Sequence, residues 1–153
     1  LHSVTYRDTY HDFLQNDFPT IPYPASAEYF FKMAELGKRL RYLHELKGID
    51  RTDLITSYPV IGKKDNNVVL IHKFEETNEG IGRVWINKEQ YFDGVPSEAW
   101  NMIIAGYKSL EKWLKDRKDK HLTGDEIIHF QKMVVALVKT IRIQEEIDEI
   151  IEL

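Results

Sequence analysis

"LTGDEIIHFQKMVVALVKTIRIQEEIDEI", Leu122 to Ile150, decides how the rest of the chain is read. Thr123 and Glu126 stand at capping-box spacing, where a hydroxyl and a carboxylate each satisfy a backbone N–H left unpaired in the first helical turn. Behind them Ile127, Phe130, Val134, Leu137 and Ile141 recur at helical spacing and make one apolar stripe. Ile143, Ile147 and Ile150 shift that stripe sideways, as in a long helix that bridges two partners.

Such a stripe needs cover, and the segment upstream offers it. Pro96, Ser97 and Glu98 suit the first turn of a helix, where the proline lacks only an N–H that would be unpaired anyway. Trp100, Ile103, Tyr107, Leu110 and Leu114 then predict a buried stripe, and the two helices are expected to form a long antiparallel hairpin. At about 1.5 to 3 kcal/mol for each large apolar side chain, this hairpin would supply much of the stability.

A further helix is predicted after Ser26 as N-cap, with Tyr29, Met33, Leu36, Leu40 and Leu43 on one stripe and Gly48 as its end. Its other face carries Lys32, Lys38, Arg39, Arg41 and Lys47. Before it, Pro19, Pro22 and Pro24 mark an extended arm with one short helix around Tyr10 to Leu14. Between the helices, "YPVIG" (58–62), "NNVVLIHKF" (66–74) and "GRVWINK" (82–88) predict a small antiparallel meander, with "ETNEGI" (76–81) as a hairpin loop and "QYFDGVP" (90–96) as a turn. The expected class is α+β and predominantly helical: the helix hairpin plus one further helix, packed with the β-meander. One domain is expected over residues 1–153, an arm over 1–24 and a body over 25–153.

Composition narrows the function classes. The hydrophobic share of 42% supports a real core, and a chain of 153 residues buries about two thirds of its unfolded surface. The longest apolar runs, such as Val68 to Ile71, are too short to span a bilayer, so no membrane partner is expected. The absence of cysteine excludes disulfides and thiolate metal sites and fits a reducing, cytoplasmic setting. The first residue is Leu1 and no signal-peptide pattern follows, so the chain is read as a piece of something larger. A net charge of -4 excludes a uniformly basic nucleic-acid binder, although a local basic face remains open.

No Gly-rich phosphate loop, nucleophile elbow or metalloprotease histidine pair is present. The six histidines are scattered, and His121 and His129 are eight apart, off the spacing of a shared helical face. Glu145, Glu146, Asp148, Glu149 and Glu152 read as a solvated helix face. No catalytic, cofactor-binding or metal residue is therefore assigned.

Two stretches carry a nucleic-acid signal. Lys112, Lys115, Arg117, Lys118 and Lys120 crowd nine residues between two helices and could meet phosphates, although cations there also complement a helix dipole. Asn87, Lys88 and Gln90 sit at a strand exit beside Tyr91 and Phe92, a residue mix that hydrogen-bonds base edges. The alternative is a strand exit that packs its aromatics inward and solvates its amides.

The string "GRVWINKEQYFDGVPSEAWNMIIAGYKSLEKWLKDRKDKHLTGDEIIHFQKMVVALVKTIRIQEEIDE", Gly82 to Glu149, closely resembles the C-terminal segment of the large adenine-specific DNA methyltransferases of the type ISP restriction-modification family. "IPYPASAEYFFKMAELGKRLRYLHEL", Ile21 to Leu46, resembles the segment before it. The resemblance implies a target-recognition region that reads duplex DNA while another domain, which binds S-adenosylmethionine, methylates adenine. Neither the Asp/Asn-Pro-Pro-Tyr/Phe motif nor the glycine-bearing cofactor motif of such enzymes occurs here, so no cofactor is expected in this stretch. The competing expectation is a helical scaffold that docks the methyltransferase core or a neighbouring domain without reading DNA.

Overall fold

The computed structural model describes residues 2–20, 23–59 and 66–151. Helices α1 (Val4–Thr9), α2 (His11–Asn16) and α3 (Ala27–His44) are followed by strands β1 (Lys73–Asn78), β2 (Ile81–Trp85) and β3 (Tyr91–Pro96). Then come α4 (Ser97–Asn101), the two-residue strands β4 (Ile103–Ile104) and β5 (Tyr107–Lys108), α5 (Ser109–Lys115) and the long α6 (Gly124–Ile150). The α+β class expected from the sequence is the one observed. The chain divides into two compact units, Leu1–Lys47 with Lys139–Leu153, and Gly48–Val138.

In the first unit, Ser26 caps α3 as expected, its hydroxyl accepting from the Tyr29 N–H at 3.1 Å. Leu36, Leu40 and Leu43 of α3 are buried, as are Ile143 and Ile147 of α6. Arg39 makes a two-pronged bond to Glu146, at 2.7 and 2.9 Å, and ties the two helices. Asp148 accepts from Ser3 Oγ and from the backbone N–H groups of Val4 and Thr5, which places a carboxylate at the start of α1. The sequence ended α3 at Gly48, but the helix stops at His44. Leu46 takes φ +53, and the Lys47 N–H bonds back to the Tyr42 carbonyl while that of Leu46 bonds to Leu43. A Schellman turn with leucine in the left-handed position therefore closes the helix before the glycine is reached.

The second unit is built on the antiparallel sheet β1-β2-β3. "QYFDGVP", expected as a turn, is its third strand. Phe92 and Val95, both fully buried, are three residues apart, a spacing that an unbroken strand cannot put on one face and that conceals the strand in the sequence. A bulge resolves this: Val84 pairs with Phe92 and Gly82 with Val95, so Asp93 and Gly94 together oppose Arg83. Gly94 takes φ +77, which the bulge requires and a side chain would strain. Of the three predicted strand runs, "YPVIG" falls partly on residues outside those described, and "NNVVLIHKF" enters the sheet only at Lys73.

The expected helix over Pro96 to Leu114 is interrupted. Ala105 and Gly106 both have positive φ, +52 and +83, as a type I′ turn demands, and the β-branched Ile103–Ile104 pair with Tyr107–Lys108 as a small hairpin. Ile103 and Tyr107, assigned to the buried stripe, are 55% and 60% exposed, whereas Trp100, Leu110 and Leu114 are buried as expected. The first arm of the helix hairpin is thus two short helices. α6 behaves as read: Thr123 and Glu126 form the reciprocal capping box, at 3.0 and 3.2 Å. Phe130, Val134 and Leu137 enter the core with Val84, Ile86, Phe92, Leu110 and Leu122, and the Phe92 and Phe130 rings stack at 4.1 Å.

Candidate nucleic-acid interface

The basic segment begins in the last turn of α5 and ends at the cap of α6. Its backbone is pinned. Val69 donates to the Lys120 carbonyl, Asp119 to Val69, and Leu122 to Asn67, all within 3.0 Å. Three of the five cations have local acids: Lys112 pairs with Asp116 at 2.9 Å, Lys115 with Glu111 at 3.1 Å, and Arg117 with Glu126 at 3.1 Å. Arg117 also lies 3.7 Å over the Trp113 ring and donates to the Trp113 carbonyl, so it closes the corner between α5 and α6. The Thr123 backbone N–H, with Arg117 assisting, holds the Glu126 carboxyl below the usual carboxylate range. Lys118 and Lys120 are exposed and form no ion pair with another described residue. Glu145 and Glu146 of the acidic C-terminal stretch find their cations, Arg142 and Arg39, within their own unit.

The strand exit is different in kind. Asn87 is 2% exposed, and all four of its side-chain hydrogen bonds are spent on backbone. Its Nδ2 donates to the carbonyls of Asn66 and Val68, and its Oδ1 accepts from the N–H groups of Glu89 and Gln90. Gln90 is 1% exposed. The expectation that Asn87 and Gln90 reach base edges is corrected: neither amide faces solvent, and Asn87 holds the turn after β2 against residues 66–68. Lys88 is exposed and remains available.

The outward face of the sheet beside them carries polar and aromatic groups that the sequence pattern does not single out. Register places Glu75 opposite Arg83 and Trp85 opposite Tyr91, all on the side away from the core. Arg83 Nε donates to Asp93 Oδ1 at 3.0 Å, and its guanidinium lies 4.5 Å from the centre of the Tyr91 ring. Trp85 packs on Tyr91 at 4.6 Å and donates its indole N–H to Glu75 at 2.7 Å. The signal in the sequence is the alternation R-x-W and Y-x-D in "GRVWINKEQYFD", which the turn-like composition of the second half masks.

Among the described residues no group of three or more histidines and acids could hold a metal ion, and no helix is long and apolar enough to cross a membrane. Among the described residues of the second unit, the surface offers two exposed lysines on a braced segment, Lys88 at the strand exit and an ordered arginine on the sheet.

Compared with known proteins, the chain matches the type ISP C-terminal specificity domain over residues 1–153. It belongs to that family. No curated protein matches it. Its fold is similar to part of the DrdV–DNA complex, with a TM-score of 0.70 and 19% identity over 95% of this chain and 16% of that one. It is likewise similar to the ATP-dependent type ISP restriction-modification enzyme LlaBIII bound to DNA, with a TM-score of 0.63 and 17% identity over 95% of this chain and 10% of that one. A nuclease-deletion mutant of LlaGI with a DNA substrate mimic gives a TM-score of 0.62 and 20% identity, covering 95% and 12%. This specificity domain therefore spans about a tenth to a sixth of the solved chains it matches.

Proposed function

We propose that this specificity domain grips duplex DNA and reads its sequence for a restriction-modification enzyme, while a methyltransferase domain of the same polypeptide, using S-adenosylmethionine, methylates adenine at N6 in the cytoplasm. A base modified at N6 must leave the stack, and a second lobe is needed to hold the duplex in register meanwhile. The observation that carries the reading is the pair Lys118 and Lys120. They project from a segment fixed by three backbone hydrogen bonds, and neither forms an ion pair with another described residue. Lys112 and Lys115 extend the same stretch and can exchange Asp116 and Glu111 for phosphate, since surface ion pairs of this kind are worth about 1 kcal/mol or less.

Phosphate contacts release counterions, so affinity falls with salt at a slope of about 0.9 per contact. In the full-length enzyme, Lys118→Glu with Lys120→Glu is expected to weaken DNA binding on every sequence and to flatten that slope by about 2. An unchanged slope would favour the scaffold reading. That reading has its own observation in the first unit, where Phe13, Phe18, Phe30 and Phe31 are each at least half exposed.

A further inference from the structure

The outward face of the sheet holds a cation prepared for recognition in a way that the lysine segment is not. Arg83 is anchored at both its ring face and its Nε. Tyr91 lies under the guanidinium plane, and Asp93, brought opposite by the bulge at Gly94, takes the Nε hydrogen. The four N–H groups on Nη1 and Nη2 have no hydrogen-bond partner among the described residues, and the side chain is 37% exposed. Every anchoring group is on a paired strand, so the free edge is fixed by the sheet and not by a loop.

We infer that Arg83 is a base-reading residue whose free Nη1–Nη2 edge recognises the O6 and N7 of a guanine in the major groove, with Asp93 and Tyr91 as its positioning residues. This rests on the proposed DNA-reading function and adds to it the residue and the base. Two parallel donors in one plane match two acceptors in one plane, the commonest specific pairing between side chain and base. A phosphate fits the same spot poorly. Asp93 and Glu75 flank the guanidinium, and their carboxylates repel a phosphate anion, while the acceptor edge of guanine is neutral. Both carboxylates can also accept from the amino group of a cytosine, the partner base of that guanine.

The test uses the full-length enzyme and a pool of duplexes randomised across its target, with bound sequences counted before and after selection. The wild type is expected to require guanine at one position or more. Arg83→Gln is expected to lower discrimination at one G·C pair about five- to 150-fold and to leave the other positions unchanged. Arg83→Lys keeps the charge and loses the paired geometry, so it is expected to relax the same position while the salt slope stays within about 0.3 of wild type. Asp93→Asn removes the anchor and should relax that position less. A fall in affinity equal at all positions would make Arg83 a phosphate contact and overturn the inference. So would unaltered base preferences in both Arg83 variants. A wild-type enzyme with neither base preference nor salt-dependent binding overturns the proposed function itself, which the lysine variants report separately.

Discussion

Tyr91 and Phe92 are neighbours in the chain and belong to two different proteins in physical terms. Phe92 is fully buried and stacks on Phe130; Tyr91 faces outward and steadies Arg83. The same division separates the polar residues of this region. Asn87 and Gln90 look in the sequence like groups that read bases, yet they are sealed under the sheet's end, whereas Arg83 and Asp93 stand ready on its outside. Polar chemistry alone does not identify a binding residue. The strand register that decides which side it faces does.

The inner face is where substitution should hurt most. Phe92→Ala removes the ring that meets both Phe130 and Tyr58, and is expected to cost about 3 to 5 kcal/mol in a urea titration. Tyr91→Ala, one residue away, loses an exposed cation–π contact and the Trp85 ring contact, should cost about 1 to 2 kcal/mol, and should act instead on base discrimination. Equal losses at the two positions would break the comparison.

Asn87→Ala comes next. It strips the partners from two carbonyls and two N–H groups at once, and each buried polar group left unpaired costs about 1 to 3 kcal/mol. Allowing for relaxation, a loss of about 3 kcal/mol is expected, with base preferences in the full-length enzyme unchanged. A well-folded Asn87→Ala variant with altered base preference would return this residue to the interface.

The corner at α6 should respond more gently. Thr123→Ala is expected to cost about 1 kcal/mol, the usual value of an N-cap. Glu126 adds a pH dependence whose sign follows from its lowered folded value: the unfolded chain takes up the proton first, so stability is complete above about pH 4.3 and is lost as pH falls through the depressed value. In Glu126→Gln, this part of the acid limb should disappear from a plot of melting temperature against pH.

How much of this was legible in the sequence follows the range of the interactions involved. The capping box at Thr123, the Ser26 cap and the buried stripes of α3 and α6 are local, and each could be read directly. β3 could not, because its bulge places buried residues at a spacing of three and its Gly94 and Pro96 imitate turn signals. Nor could the burial of Asn87, since the carbonyls it holds lie about twenty residues upstream and nothing at positions 87–90 announces them. The lysine segment was legible as a charge cluster, but which of its members are neutralised depends on Glu111, Asp116 and Glu126 at helical and cross-corner distances.

The smallest expected effect is also the one that separates the two readings of residues 97–115 most cleanly. A continuous helix would place Ala105 mid-helix, where alanine is the best residue available and asparagine costs about 0.7 kcal/mol. The observed hairpin places it at the first central position of a turn with φ +52, a conformation that alanine tolerates poorly and asparagine favours, particularly ahead of a glycine such as Gly106. The Ala105 side chain is exposed, so the exchange disturbs no packing. Ala105→Asn is therefore expected to raise stability by about 0.5 kcal/mol, and chemical denaturation at equal m-value can resolve the sign. A loss of that size would mean that the segment runs as one helix, and that Ile103 and Tyr107 belong to the core after all.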